Sequence, residues 1–130
     1  MSHTVKIKTL FKDLNVFKKA LEKFGWTVKE NEKIRTYPSD SARNTVYKYV
    51  AVNPKQDGYD IGVGQKEDGE LELFADFYDG SIAAGLGQDL QKLRQEYSKQ
   101  LTIDEMTFNG YTVDESTDNN GNISLEFTKA

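Results

Sequence analysis

The sequence predicts an α+β fold: an antiparallel sheet of about five to seven strands with two helices packed on one face, in the order β-α-β-β-β-β-α-β-β. Three observations carry that expectation. Tyr59, Ile61 and Val63 alternate with Asp60 and Gly62, and Leu71, Leu73, Ala75 and Phe77 alternate with Glu72, Phe74, Asp76 and Tyr78, the two-residue period of two strands. Between them Gln65 to Glu70 is charged and contains Gly69, the chemistry of a hairpin turn that needs one residue at positive φ. Leu14, Phe17, Leu21 and Phe24, and later Leu86, Leu90, Leu93, Tyr97 and Leu101, recur at helical spacing.

Taken in order, Thr4 to Phe11 alternates Val5, Ile7 and Thr9 against Lys6, Lys8 and Leu10 and reads as a strand. Asp13 stands where an N-cap belongs, and Gly25 supplies the left-handed stop of the helix between them. Lys12, Lys18, Lys19 and Lys23 fall mostly off its apolar stripe, so its outer face is basic. Trp26 to Glu30 returns to the sheet as a strand. Asn31 to Thr45 is polar, contains Pro38 and reads as a long loop or crossover. Val46 to Val52 is a strand with Val46, Lys48, Val50 and Val52 on one side and Tyr47, Tyr49 and Ala51 on the other. Asn53 to Gly58 turns it into the central hairpin, whose Leu71, Leu73, Ala75 and Phe77 belong to the core.

Asp79 to Gly87 is rich in glycine and small residues and reads as a flexible connection. It is no phosphate loop: GxxxxGK[ST] is absent, and Gly85-Leu86-Gly87 lacks the third glycine of a dinucleotide fingerprint. The second helix follows, reaching towards Asn109 or giving way at Thr102 to a separate short helix. Gly110-Tyr111-Thr112-Val113-Asp114-Glu115 then echoes Gly25-Trp26-Thr27-Val28-Lys29-Glu30, either as a true repeat or because any helix stop leading into a strand asks for similar residues. Asp118 to Asn122 turns the chain into a last strand on Ile123, Leu125 and Phe127. A calcium loop beginning at Ser116 would place Phe127 where a bidentate acid is required, so this is a turn.

The 130 residues suit a single domain, 1–130, with one core. No apolar run approaches the roughly 20 residues of a membrane span, and the Met1-Ser2-His3 start lacks the basic-then-apolar pattern of a secretory signal. With no Cys, disulfides, thiolate chemistry and cysteine zinc sites are excluded, and the expected home is a cytoplasm or a plastid stroma. Residues 1–58 hold 12 Lys or Arg against 6 Asp or Glu, and residues 59–130 hold 5 against 15, so +6 and −10 sum to the net −4. This asymmetry marks either a charged surface for a partner or another copy, or halves interleaved in one fold.

Chemistry-bearing residues are few. His3 has no second histidine and no Ser or Cys motif beside it, so the expectation is no metal and no cofactor, and the balance is against an enzyme. If the central strands pair, Asp60 and Asp76 approach each other; they could then act as paired carboxylates under the Asp79–Gly87 segment, or be bonded to backbone or to Arg35, Lys48 or Arg94. Phe74 and Tyr78 lie off the core face, and Tyr47 and Tyr49 join them as candidate partner contacts. Single-stranded nucleic acid stacks on such surfaces, but Glu70, Glu72, Asp76 and Asp79 argue against it.

Ile7-Lys8-Thr9 followed by Asp13 and a helix, Gly25-Trp26-Thr27-Val28, Tyr59-Asp60-Ile61-Gly62, Asp68-Gly69 with Leu73 and Ala75-Asp76, and the closing Gly-aromatic-Thr-Val together resemble the hypothetical chloroplast reading frame thirty-five family. The resemblance runs in order over nearly the whole chain. It implies a cyanobacterial, plastid or cyanophage setting, with a host cytoplasm as location in the phage case, and it carries over no catalytic residues because the family's function is unknown. The chain departs from the family pattern at Val63-Gly64-Gln65-Lys66, where basic residues are frequent, and at Phe77-Tyr78, where paired Trp is expected. The functional expectation is a non-enzymatic module contacting a protein partner or a second copy. The alternatives are a small-ligand binder or enzyme built on Asp60 and Asp76, and an acidic nucleic-acid mimic acting on a host protein.

Overall fold

The structure is a computed structural model describing residues 4–7 and 11–129. It divides into two compact units, residues 1–97 and 98–130. In the first, strands β1 (Val5–Ile7), β2 (Thr27–Lys33), β3 (Val46–Val52), β4 (Ile61–Gln65) and β5 (Leu71–Ala75) form an antiparallel sheet in the order β1-β5-β4-β3-β2. The meander β2 to β5 thus runs across the sheet and brings β5 against β1. The expected first strand overlaps β1, and its continuation through residues 8–10 and His3 lie outside the described residues.

Helix α1 (Leu14–Lys23) starts where Asp13 accepts from the Val16 backbone N–H at 3.1 Å, the expected N-cap. It ends before Gly25, whose φ of 81° is the left-handed stop. Its buried Val16, Phe17, Ala20 and Leu21 belong to the same core as Ile61, Val63, Leu71, Leu73 and Ala75, all five of which are almost fully buried. The long connection after β2 is shorter than expected. Strand β2 runs on to Lys33, and a 3-10 turn at Ser41–Asn44 is capped by Asp40, which accepts from the Ala42 N–H at 2.9 Å.

The central hairpin turns where expected, with Gly69 at φ 91° and the Lys66 N–H donating to the Glu70 carbonyl at 2.9 Å. Its second strand stops earlier than the alternation suggests. The Asp76 side chain accepts from the Tyr78 N–H at 2.9 Å and bends the chain into a local turn. Phe77 is therefore only half-buried and stands outside the fully buried core that the sequence assigned to it.

Asp79–Gly87 is not a flexible connection. Helix α2 (Ser81–Leu86) occupies it, with Ser81, Ile82 and Leu86 buried. Small residues serve close packing here: a Cβ on Gly85 would lie 3.0 Å from the Trp26 indole nitrogen. Gly87 to Leu90 breaks the helical path, with Asp89 and Leu90 at φ 52° and 58°, before α3 (Gln91–Phe108) continues unbroken past Thr102. In its first turns Leu93 and Tyr97 are buried, and Phe11 joins its ring to Phe17 at 5.2 Å and to Tyr97 at 4.7 Å. The Tyr97 hydroxyl also accepts from the backbone N–H groups of Lys12 (3.1 Å) and Asp13 (3.0 Å), which ties α3 to the start of α1.

In the second unit, β6 (Tyr111–Thr117) and β7 (Ile123–Lys129) form a two-stranded antiparallel sheet of their own. Asp118 builds their turn by accepting from the Asn120 N–H (2.8 Å), the Asn122 N–H (2.9 Å) and the Asn122 amide (3.0 Å). Those bonds, the Asn122 backbone first, hold its carboxyl below the ordinary value of 3.8. Among the described residues from Ser98 on, none is fully buried. The fold is α+β, with an element order close to the expected one, α2 being added before the second long helix and the strands split between a five-stranded and a two-stranded sheet.

Candidate functional site

The predicted site residues separate into three places on the first unit. Tyr47 and Phe74 come together, their ring centroids 5.4 Å apart. Gly62 is the reason they fit: a Cβ there would sit 2.7 Å from the Tyr47 ring, so the aromatic lies on bare backbone. Burial, with the Asp40 carboxylate second and opposed by a Thr45 hydrogen bond, raises the Tyr47 phenol above its ordinary 10.0. Lys6, opposite Phe74 in the β1–β5 ladder, pairs with Glu72 beside them. Tyr49 is elsewhere, its ring approached by the Lys18 ammonium of α1 at 5.7 Å and by Lys48 at 5.5 Å. Asn31 at φ 53° interrupts the β2–β3 ladder opposite Lys48, between the positions of the two tyrosines.

Asp60 and Asp76 lie just beyond the β4–β5 ladder, which ends at Gly62 and Phe74: Asp60 immediately precedes β4 and Asp76 immediately follows β5. Their surroundings differ sharply. Asp60, 3% exposed, accepts from the Arg35 backbone N–H (2.8 Å), Arg35 Nε (3.0 Å), Arg35 Nη2 (2.7 Å) and the Asn53 N–H (2.9 Å). That bidentate ion pair and the carbonyls of Asn53 and Lys55 also engage the guanidinium, so Arg35 is one of the partners the sequence offered for Asp60. The Asp60 hydrogen bond raises the Arg35 pKa further. With its lone pairs occupied by fixed donors, Asp60 works as a clamp between the segment after β2 and the start of β4.

Asp76 is also 3% exposed, yet its Oδ2 has no hydrogen-bond partner among the described residues, while Oδ1 takes only the Tyr78 N–H. A buried carboxylate oxygen left open is costly and asks for an explanation. Around it stand residues that the sequence reading did not single out. Tyr37 meets Tyr78 edge to face, centroids 6.1 Å apart and planes at 76°. Tyr59 is half-buried, and burial first, then Asp79, Asp76, Tyr37 and Tyr78, raises its phenol above the ordinary 10.0. Thr36, between Arg35 and Tyr37, has a second buried oxygen without a partner.

The backbone of this corner is held firmly. The Tyr59 N–H donates to Ser81 Oγ at 2.9 Å, and Ser81 donates from both N and Oγ to Asp79 Oδ1, at 2.9 and 2.8 Å. Asn53, buried, donates to the Tyr59 carbonyl at 3.1 Å. Three tyrosines and two carboxylates thus converge on a rigid frame, with Tyr78 67% exposed at the top. Asp76 and Tyr78 were legible in the sequence as off-core residues after β5. Tyr37 was hidden in a polar connection, Tyr59 was assigned to a strand that begins two residues later, and Asp79 was assigned to a flexible segment.

A search of curated proteins and of solved structures found no match. The sequence profile of one family, described as protein of unknown function (DUF1257), matches residues 20–125. Those residues take in the ladder from β2 to β5, all the residues of the tyrosine corner and most of the second unit, so the expectation of a family without assigned function is met, and the chain belongs to the DUF1257 family.

Proposed function

We propose that the chain is a non-enzymatic binding module that contacts a protein partner, or a second copy of itself, through the corner formed by Tyr37, Tyr59, Asp76, Tyr78 and Asp79. The observation that carries this reading is an exposed Tyr78 ring two residues from a buried carboxylate that accepts the Tyr78 N–H on one oxygen and has its other oxygen open. Tyrosine brings large, stiff contact area at small entropic cost, the property that enriches it at protein interfaces. The depression beside the corner, about 330 Å³ and lined by Phe77, Gly80, Ala83, Gln88 and Asp89, is open. A macromolecular surface suits that shape better than an enclosed small substrate. Among the described residues no group of three or more acidic or histidine side chains is placed to hold a metal, and Asp60 is committed to Arg35, which takes support from the paired-carboxylate reading. A cyanobacterial, plastid or cyanophage setting, and a cytoplasmic or stromal location, follow from the family resemblance and are part of the proposal.

The test is photo-crosslinking from benzoylphenylalanine placed at position 78, with Glu67 in the exposed hairpin turn as control site, in a cyanobacterial lysate. A discrete adduct at 78 that is absent at 67, and that the purified partner reproduces, is the expected result. No adduct at 78, or the same adducts from both sites, overturns the reading.

A further inference from the structure

The chemistry of the corner specifies what it recognises. Two carboxylates lie within electrostatic reach of Tyr59, and no ion pair neutralises either of them among the described residues. The arginines of the neighbouring segment are engaged elsewhere: Arg35 on Asp60, and Arg43 on the Pro38 carbonyl at 2.8 Å. Asp76 is buried, so its charge acts through a medium that screens it weakly. Tyr37 and Tyr78, edge to face, present a ring face and a ring edge at right angles, and a ring face attracts a cation.

From this we infer that Tyr37, Tyr59 and Tyr78 with Asp76 and Asp79 form a recognition site for a cationic side chain, the guanidinium of arginine or the ammonium of lysine, on the partner protein. The inference rests on the binding-module reading and names its ligand class. The cation sits against the tyrosine rings and meets Asp79 at the rim, while the open Oδ2 of Asp76 supplies uncompensated negative charge from beneath. A neutral ligand of the same shape gains neither term.

The experiment is an NMR titration of the full chain, with labelled tyrosine rings, against N-acetyl-arginine amide, N-acetyl-lysine amide and the neutral isostere N-acetyl-citrulline amide. The expected result is saturable shifts at Tyr37, Tyr59 and Tyr78 with at least one charged probe, and shifts at least about threefold smaller with citrulline. The arginine and lysine arms decide between guanidinium and ammonium. Tyr78→Ala removes an exposed ring, and Asp76→Asn keeps the acceptor for the Tyr78 N–H while deleting the charge, so both leave the frame intact; each weakens the apparent affinity about threefold or more. Equal response to citrulline, shifts as large at Tyr97 and Tyr111, or no saturable shift up to about 50 mM probe overturns the assignment, the last being the result if an internal water alone fills the open oxygens. A crosslink at position 78 together with a failed titration leaves the binding module standing and removes only its cationic ligand.

Discussion

Asp60 and Asp76 show how far two like residues at the ends of neighbouring strands diverge with their hydrogen bonds. Asp60 accepts four N–H groups, two of them backbone, so Asp60→Ala strands buried donors together with a guanidinium and costs about 2 to 4 kcal/mol. Arg35→Met costs less, about 1 kcal/mol, because its side chain is 42% exposed and Asp60 keeps its backbone donors. Urea unfolding of the two variants checks the order, and a larger loss for Arg35→Met would contradict it. Tyrosine titration gives a second expectation. Tyr59 and Tyr47 have folded pKa values above 10.0, so the unfolded chain releases these protons first. Their contribution is complete below about pH 10 and is lost as pH rises through the raised folded values. Stability measured by urea unfolding between about pH 8 and 11 therefore falls at the alkaline end, and falls less in Tyr59→Phe. An unchanged slope in that variant would show that Tyr59 titrates normally.

At the scale of elements, Tyr97 joins α3 to α1 by accepting two N–H groups at the helix start that would otherwise be unpaired. Tyr97→Phe keeps the ring against Phe11 and removes both bonds, an expected loss of about 1 to 3 kcal/mol by thermal or urea unfolding. A neutral substitution would mean the two donors find water. Elements were the scale at which the sequence spoke most clearly. Alternation in β3 to β5 and the Asp13 and Gly25 caps of α1 are local signals, written in neighbouring residues. Helix α2 was not legible because Gly80, Gly85 and Gly87 argue for flexibility, whereas Gly85 exists to admit Trp26, a contact made across 59 positions of sequence. The early end of β5 had a readable cause in Asp76, but an Asp after alternating residues fits a strand as well as a turn. The tyrosine corner was half legible for the same reason: Asp76 and Tyr78 stand in a patterned segment, while Tyr37 is brought to them only by the tertiary fold.

For the whole molecule, the two units differ in what holds them. The first has a core that includes Trp26, Phe17, Ile61, Leu71 and Leu73, all at 1% exposure or less. The second has half-buried Val113, Ile123, Leu125 and Phe127 on one hairpin face, Phe108 91% exposed, and no fully buried residue among those described. A two-stranded sheet with so little burial is marginal in water. Amide hydrogen exchange should therefore be faster throughout β6 and β7 than in β3 to β5, and equal protection would show that the hairpin is stabilised as strongly as the sheet.

In the proposed reading the tyrosine corner is the contact surface and charge selects what it contacts. Crosslinking yield at position 78, measured with and without about 50 mM N-acetyl-arginine amide or N-acetyl-lysine amide and against the citrulline control, addresses both halves at once. The expected result is an adduct whose yield falls with at least one charged competitor and holds with the neutral one. A yield that neither charged compound lowers, or that all three lower equally, rules out a charge-selective contact at this corner.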